Sequence, residues 1–272
     1  MKKIPSAIRH SIQYAFSVIA GASTVAGIWG YTIRDISEKI SWWQWLLIVV
    51  GAFILLSIGF YFCIRAFRHR SFSTKVNGKI VVIKTGDLFE SEGWKLIPCN
   101  ERFDTQVDDV IIAHNTLNGQ MIDHHISNLE DLKARISFAS NDTSPLKGKK
   151  INGRIIYPLG RVIPYDDFLM LAFSHFDEQN QAYIGIGEYE QLLIRMWAEI
   201  RRVYAAKPIT IPLIGAGITN VDGMPEKDYT EFLKCMLCTL RSSKFQPDKG
   251  ITIVVTAEAM DRIDMNAIRE EF

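Results

Sequence analysis

The chain has 272 residues, 48% hydrophobic and 22% charged, with a formal net charge of +1. That composition suits one membrane module plus one folded domain and excludes a disordered chain, which needs low hydrophobicity and high net charge. The charge is divided: residues 1–75 carry nine Lys/Arg and two Asp/Glu, net +7, whereas residues 76–272 carry 22 and 28, net −6; an acidic folded part argues against nucleic acid as the partner.

Two uncharged apolar runs open the chain. Residues 12–33 form the first and 42–62 the second, and the second is broken only by Gln44 and Ser57. A helix of about 20 apolar residues spans a hydrocarbon core, so residues 1–70 read as a transmembrane helical hairpin with a short outside loop. Trp42, Trp43 and Trp45 at one end of the second run, and Tyr61 and Phe62 at the other, sit where interfacial aromatic belts are expected. In the first run Ala22, Ala26 and Gly30 share a helical face, the small-residue spacing that lets helices pack closely in lipid. A cleavable signal peptide fits less well, because the run is too long and a second span follows. Lys2, Lys3 and Arg9 precede the hairpin and Arg65, Arg68, Arg70 and Lys75 follow it, against Arg34 and Lys39 in the connection. Positive residues stay inside, which places both termini and the domain in the cytoplasm of a multi-pass inner-membrane protein.

Residues 71–78 read as a linker, and 79–272 as one cytoplasmic domain. Strands are expected at 79–84, 95–98, 154–157, 168–173, 209–214 and 251–256. Helices are expected over 189–203 from its i, i+3, i+4 spacing, from Pro225 to about Ser242, and over 261–271. Alternating apolar strands and helices predict an α/β fold with ligands bound beyond the carboxyl ends of the strands. Cys235 and Cys238 have half the spacing of a zinc site but no second pair, and they share a helix with Phe232 and Met236. Asp123, His124 and His125 have no partner motif for metal chemistry, so no metal is expected.

Three loops could carry function. In the run from Ile211 to Ile218 a strand leads into Gly215, Ala216 and Gly217, where small residues let backbone N–H groups approach phosphate oxygens; a tight turn would use the same residues. Thr85, Gly86, Asp87 and Leu88 place a carboxylate at a strand end, suited to an exocyclic amine such as that of adenine or to capping a turn. Asn100 ends the next strand.

Together these segments resemble the macro domain, a three-layer α/β sandwich with a mixed central sheet, over roughly residues 79–260. The resemblance implies ADP-ribose or an ADP-ribose conjugate as ligand and no cofactor. It puts Asp87 on the adenine amine, Leu88 beside the ring, Asn100 near the distal ribose, and Gly215, Ala216, Gly217, Ile218 and Thr219 around the diphosphate. The chain departs from the pattern after Asn100, where Glu101, Arg102, Phe103, Asp104 and Thr105 replace a glycine-rich loop and a long insertion runs to Gly153. That loss implies a binding protein with no catalytic residues, Phe103 stacking on an added ring and Glu101, Asp104 or Asp109 accepting its donors; a membrane-anchored ADP-ribosyl hydrolase centred on Asn100 is the alternative. The whole chain resembles the two-helix membrane effectors of Thoeris-type antiphage systems. Such an effector binds an NAD-derived signal made by a TIR-domain partner, self-associates, and disrupts the membrane lipid.

Overall fold

The computed structural model describes residues 6–28, 41–68, 71–177, 179–223 and 226–272, and the chain divides near Arg70 into two units. The first contains helices α1 (Ser6–Ile28) and α2 (Trp42–Arg68). They pack together with Tyr14 against Phe60, ring centroids 5.8 Å apart. Outward they expose Ile12, Phe16, Ile48, Val49 and Val50, with Leu47 70% and Leu55 72% accessible. At about 1.5 Å per residue, a helix of α2's 27 residues covers roughly 40 Å. Among the described residues no helix is long and apolar enough to cross a membrane. Residues 29–33 of the expected first span, including Gly30, the loop residues 34–40 and Pro225 lie outside the described residues, as does the side chain of Ala26.

The second unit is built on a mixed sheet. Its strands are β1 (Phe72–Val76), β2 (Lys79–Thr85), β3 (Trp94–Asn100), β6 (Val162–Tyr165), β7 (Phe168–Phe176), β8 (Ala182–Gly185), β9 (Ile209–Pro212), β10 (Asn220–Asp222) and β11 (Ile251–Val255). They lie in the order β1-β2-β11-β9-β3-β7-β8-β10, with β6 also on β7. From β2 through β11, β9 and β3 to β7 every pairing is parallel. A small hairpin, β4 (Lys149–Ile151) and β5 (Arg154–Ile156), stands apart.

Helices cover both faces. On one, α3 (Leu117–His125) and α4 (Leu129–Phe138) bury Met121, Leu132 and Ile136 against Ile97, Cys99, Met170 and Ala172. On the other, α5 (Ile186–Val203) and α6 (Tyr229–Ser243) are joined by Trp197 Nε1 donating to Thr239 Oγ1 at 3.1 Å. Two short helices, α7 (Ala257–Arg262) and α8 (Met265–Glu271), end the chain where one had been expected. The break comes at Asp264, whose carboxylate caps α8 by accepting from the Asn266 and Ala267 N–H groups.

Residues 71–78 are not a free linker. Phe72–Val76 pairs antiparallel with β2 across Asn77 and Gly78, which adopt φ of 52° and 77°. An Asn-Gly turn with both residues left-handed matches the twist of a hairpin. Helix α6 likewise starts later than expected, with Asp228 as its cap.

A buried ionic cluster ties the insertion to the core. Arg161, fully buried, donates to Glu199 Oε2 on α5 at 2.5 Å, and also to Asp142 and to the Ala139 carbonyl. Burial opposes ionisation of Glu199, but hydrogen bonds from Arg202 and Ser144 and the charges of Arg161 and Arg202 outweigh it and hold the carboxyl below its ordinary range. Glu199→Gln leaves Arg161 underpaired in a dry site and should lower stability by about 3–5 kcal/mol in urea denaturation at pH 7. A depressed carboxyl contributes stability above the unfolded pKa and loses it on acidification, so the gap between variant and wild type should close below about pH 4.

Candidate functional site

Because the central strands are parallel, their carboxyl ends meet along one edge. There a cleft of about 730 Å³ opens, lined by the last residues of β3 and β7 and by residues at or just after the ends of β2, β9 and β11. That volume lies within the range of small-molecule sites, roughly 300–1,000 Å³. It brings together Asp87, Leu88, Asn100, Gly215, Ala216, Gly217, Ile218 and Thr219.

Each arrives there for a local reason. Asp87 is exposed and accepts the Phe89 N–H at 2.9 Å through Oδ1, an Asx turn that holds the carboxylate at the mouth. Leu88 is buried beneath it. A bulge offsets β3 from β7, so that Cys99 faces Ala172 but Asn100 faces Ser174; bulges re-aim side chains in this way beside sites. Asn100 is buried, and its amide is engaged: Oδ1 accepts from the Arg102 and Asp104 N–H groups at 3.0 and 3.2 Å, and Nδ2 donates to Asp104 Oδ2 at 3.0 Å. Cys99 also lines the cleft, but burial pushes its thiol well above the ordinary range, so it stays protonated.

The loop after β9 is anchored from below. Leu213 N–H donates to the Val254 carbonyl at 3.1 Å, and the Ile214 carbonyl accepts the buried Tyr189 hydroxyl at 2.8 Å. Gly215 has φ +90°, and a Cβ there would sit 3.2 Å from the Phe232 ring, so glycine is required. Among the described residues the N–H groups of Gly217 and Ile218 have no backbone acceptor, leaving donors of the kind that cradle phosphate oxygens. Lys227 donates to the Gly217 carbonyl.

Phe103 and Asp104 fall elsewhere. Phe103, at φ +50°, is 3% exposed and meets Tyr157 edge-on with centroids 5.3 Å apart. Its ring is therefore spent on the core and is not available for stacking. Asp104 is spent on Asn100 and lines an adjoining cavity.

One wall of the cleft escaped the sequence reading. Ile111 to Ala113 and Asn115 to Asn118 form it, in place of the glycine-rich loop. Asp108 Oδ1 accepts from the Val110 and Ile111 N–H groups at 2.9 and 2.7 Å, and Asp109 accepts from His114 N–H at 3.0 Å. His114 Nδ1 meets Asp123 at 2.6 Å, a hydrogen bond that raises the imidazole's pKa. The stretch then enters α3 under a Thr116 cap, which points the positive end of that helix toward the cleft. On the outer side His175 is held between Glu101 (2.6 Å) and Glu188 (3.3 Å). The Glu101 hydrogen bond, stronger than the opposing burial, raises its pKa. His125 stacks on Phe89, and no group of metal-ligating side chains occurs among the described residues. Cys235 and Cys238 are both free thiols on α6.

Gly119 holds this wall in place, because a Cβ there would lie 2.3 Å from the Ala113 carbonyl oxygen. Gly119→Ala should therefore displace residues 111–116. Hydrogen exchange across that stretch should accelerate at least about tenfold, an opening cost of 1.4 kcal/mol or more, with strands β9 and β11 unchanged.

Residues 81–256 match the family described as Thoeris protein ThsA, Macro domain. The Thoeris protein ThsA of Bacillus amyloliquefaciens (strain Y2) is 36% identical over 240 residues, covering 83% of this chain and 78% of that protein. The match covers more of the chain than residues 71–272 supply, so it reaches into helix α2. Among solved structures, a mutant of the Oceanobacillus iheyensis macrodomain with ADPR gives a TM-score of 0.47 at 19% identity, covering 74% of this chain and 98% of its own. The same macrodomain with ADP gives 0.46 at 16% identity, covering 75% and 98%.

Proposed function

The chain belongs to the Thoeris ThsA macro-domain family, and from that premise we propose that it is a membrane-anchored sensor and effector of antiphage defence. Its cleft binds an ADP-ribose-type signal, derived from NAD by a TIR-domain partner. Binding then drives self-association of the hairpins and disruption of the inner membrane, with the domain on the cytoplasmic side. The observation that carries the ligand is the loop after β9, where an anchored turn leaves the Gly217 and Ile218 N–H groups without a backbone acceptor among the described residues, donors suited to a diphosphate. Asp87 at the other strand end suits the adenine amine.

Binding without turnover is favoured by Asn100. Both ends of its amide are committed to the 100–104 turn, which leaves it poorly placed to orient a water against the distal ribose. Membrane insertion is favoured by the sequence window 42–62 and by the exposed Leu, Ile, Val and Phe side chains of α1 and α2. An apolar surface of that kind needs an apolar environment.

The ligand is tested with Gly217→Glu. A Cβ at this position meets nothing within 4 Å, so the variant should fold with an unchanged melting temperature. Losing one charge-assisted hydrogen bond costs about 1.5–3 kcal/mol, so calorimetric affinity for ADP-ribose should fall at least tenfold. Wild-type affinity in a folded variant would remove the diphosphate from this loop. Release of free ADP-ribose from ADP-ribosylated protein by the wild-type chain would replace the sensor with a hydrolase.

Insertion is tested at Leu55, which lies within the apolar window 42–62. An Arg at the centre of a span costs about 2.5–3.5 kcal/mol. Leu55→Arg should therefore shift the protein from the carbonate-resistant membrane fraction to the supernatant or to degradation, and equal retention of both proteins would argue against a span at 42–62.

A further inference from the structure

A second cavity, of about 630 Å³, adjoins the cleft. Ile111 lines both, and Asn100 of the first donates at 3.0 Å to Asp104 of the second. Its walls carry Arg102, Lys133 and Arg154 against the single carboxylate of Asp104, a local excess of positive charge inside an acidic domain. The acid is already satisfied by Asn100, and Lys133 by Glu130 at 2.8 Å. Neither Arg guanidinium has a partner among the described residues, and the Nε of Arg102 is buried without an acceptor. Buried donors in native proteins are satisfied, and a guanidinium fork matches carboxylate and phosphate oxygens in pairs.

We propose that this cavity is a second binding site, for an anionic group, a carboxylate or a phosphate, held by Arg102 and Arg154 with Lys133 adding charge. The anion has two possible sources. One is a substituent on the distal ribose of the ligand in the cleft, which rests on the function proposed above; the other is a free anion binding in its own right. Ile111, Leu129, Ile136 and Ile155 supply apolar lining beside these charges.

The full-length chain in detergent separates these sources with three probes: inorganic phosphate followed by phosphorus NMR, and ADP-ribose and ADP-ribose phosphorylated on its distal ribose, both by calorimetry. Arg102→Gln and Arg154→Gln are the variants; Arg154 is exposed, so its replacement leaves the fold intact and decides the question should Arg102→Gln unfold. The expected result is phosphate line-broadening in wild type that both variants lose. The phosphorylated ligand should bind wild type about 10- to 100-fold tighter than ADP-ribose, the range of one or two charge-assisted hydrogen bonds. That gain should vanish in the variants while ADP-ribose binds them as it binds wild type. Phosphate binding without the gain assigns the site to a free anion. Phosphate binding with no affinity for ADP-ribose overturns the proposed ligand but keeps this site. No phosphate binding and no gain overturns the site.

Discussion

The parallel pairing of β2, β11, β9, β3 and β7 is the constraint on which the site depends. Parallel strands all end on one edge, and the chain must leave each strand there before crossing back. Five exits converge on one edge, and each exit interrupts a hydrogen-bond ladder. The cleft is made from the interruption: Asp87 after β2, Asn100 at the end of β3 and Gly215 to Thr219 after β9 all stand where the chain leaves a strand. Their backbone polar groups need partners that neighbouring strands no longer supply. Some are met by side chains, as at Asn100, and those of Gly217 and Ile218, which line the cleft, have no backbone acceptor among the described residues.

A glycine-rich turn is one way to bring many N–H groups close to a ligand, and this chain uses another. The wall formed by residues 111–118 is fixed by side chains. Asp108 and Asp109 take up its N–H groups, and Thr116 and Gly119 set the start of α3 against Ala113. Such a wall costs less conformational entropy than a run of glycines. It also spends the amides that glycines would have offered, leaving the β9 loop and the start of α3 as the N–H-rich parts of the cleft. The cost of the inserted chain is offset by the cluster at Arg161, which joins the segment at Asp142 to α5 through Glu199.

Much of this was legible in the residues. The strands at β2, β7 and β11, the amphipathic α5 and the strand-to-glycine step at β9 follow from periodicity and small residues alone. Residues 72–76 alternate and are followed by Asn77 and Gly78, a hairpin signal that the expectation of a linker overlooked. The same dipeptide, Asn152 and Gly153, turns β4 into β5. What could not be read was the direction of side chains after Asn100. A bulge between β3 and β7 and a left-handed Phe103 redirect that loop, and neither leaves a trace in residue type, because Phe has no preference for positive φ. So Asp104 and Phe103, plausible as ligand contacts by proximity in sequence, fold away from the cleft. Arg102, just before them, carries no such signal in the sequence either, because its buried Nε lacks an acceptor among the described residues, a property of the packed structure.

The charge division of the chain now has a physical reading. Residues 76–272 are net −6, a field that opposes an approaching diphosphate at long range but is screened over about 8–10 Å in physiological salt. Recognition of an anion by such a domain has to come from short-range dipoles and from cations sheltered in cavities. The β9-loop amides and the cavity arginines, without partners among the described residues, are the groups the proposed function and the proposed anion site use for this. The excess of basic residues lies in residues 1–75, beside the apolar helices, where positive charge favours an anionic lipid surface and the acidic domain does not compete for it. Under the proposed function, one chain keeps two anionic partners apart, the membrane through net charge and apolar surface, and the ligand through directed hydrogen bonds.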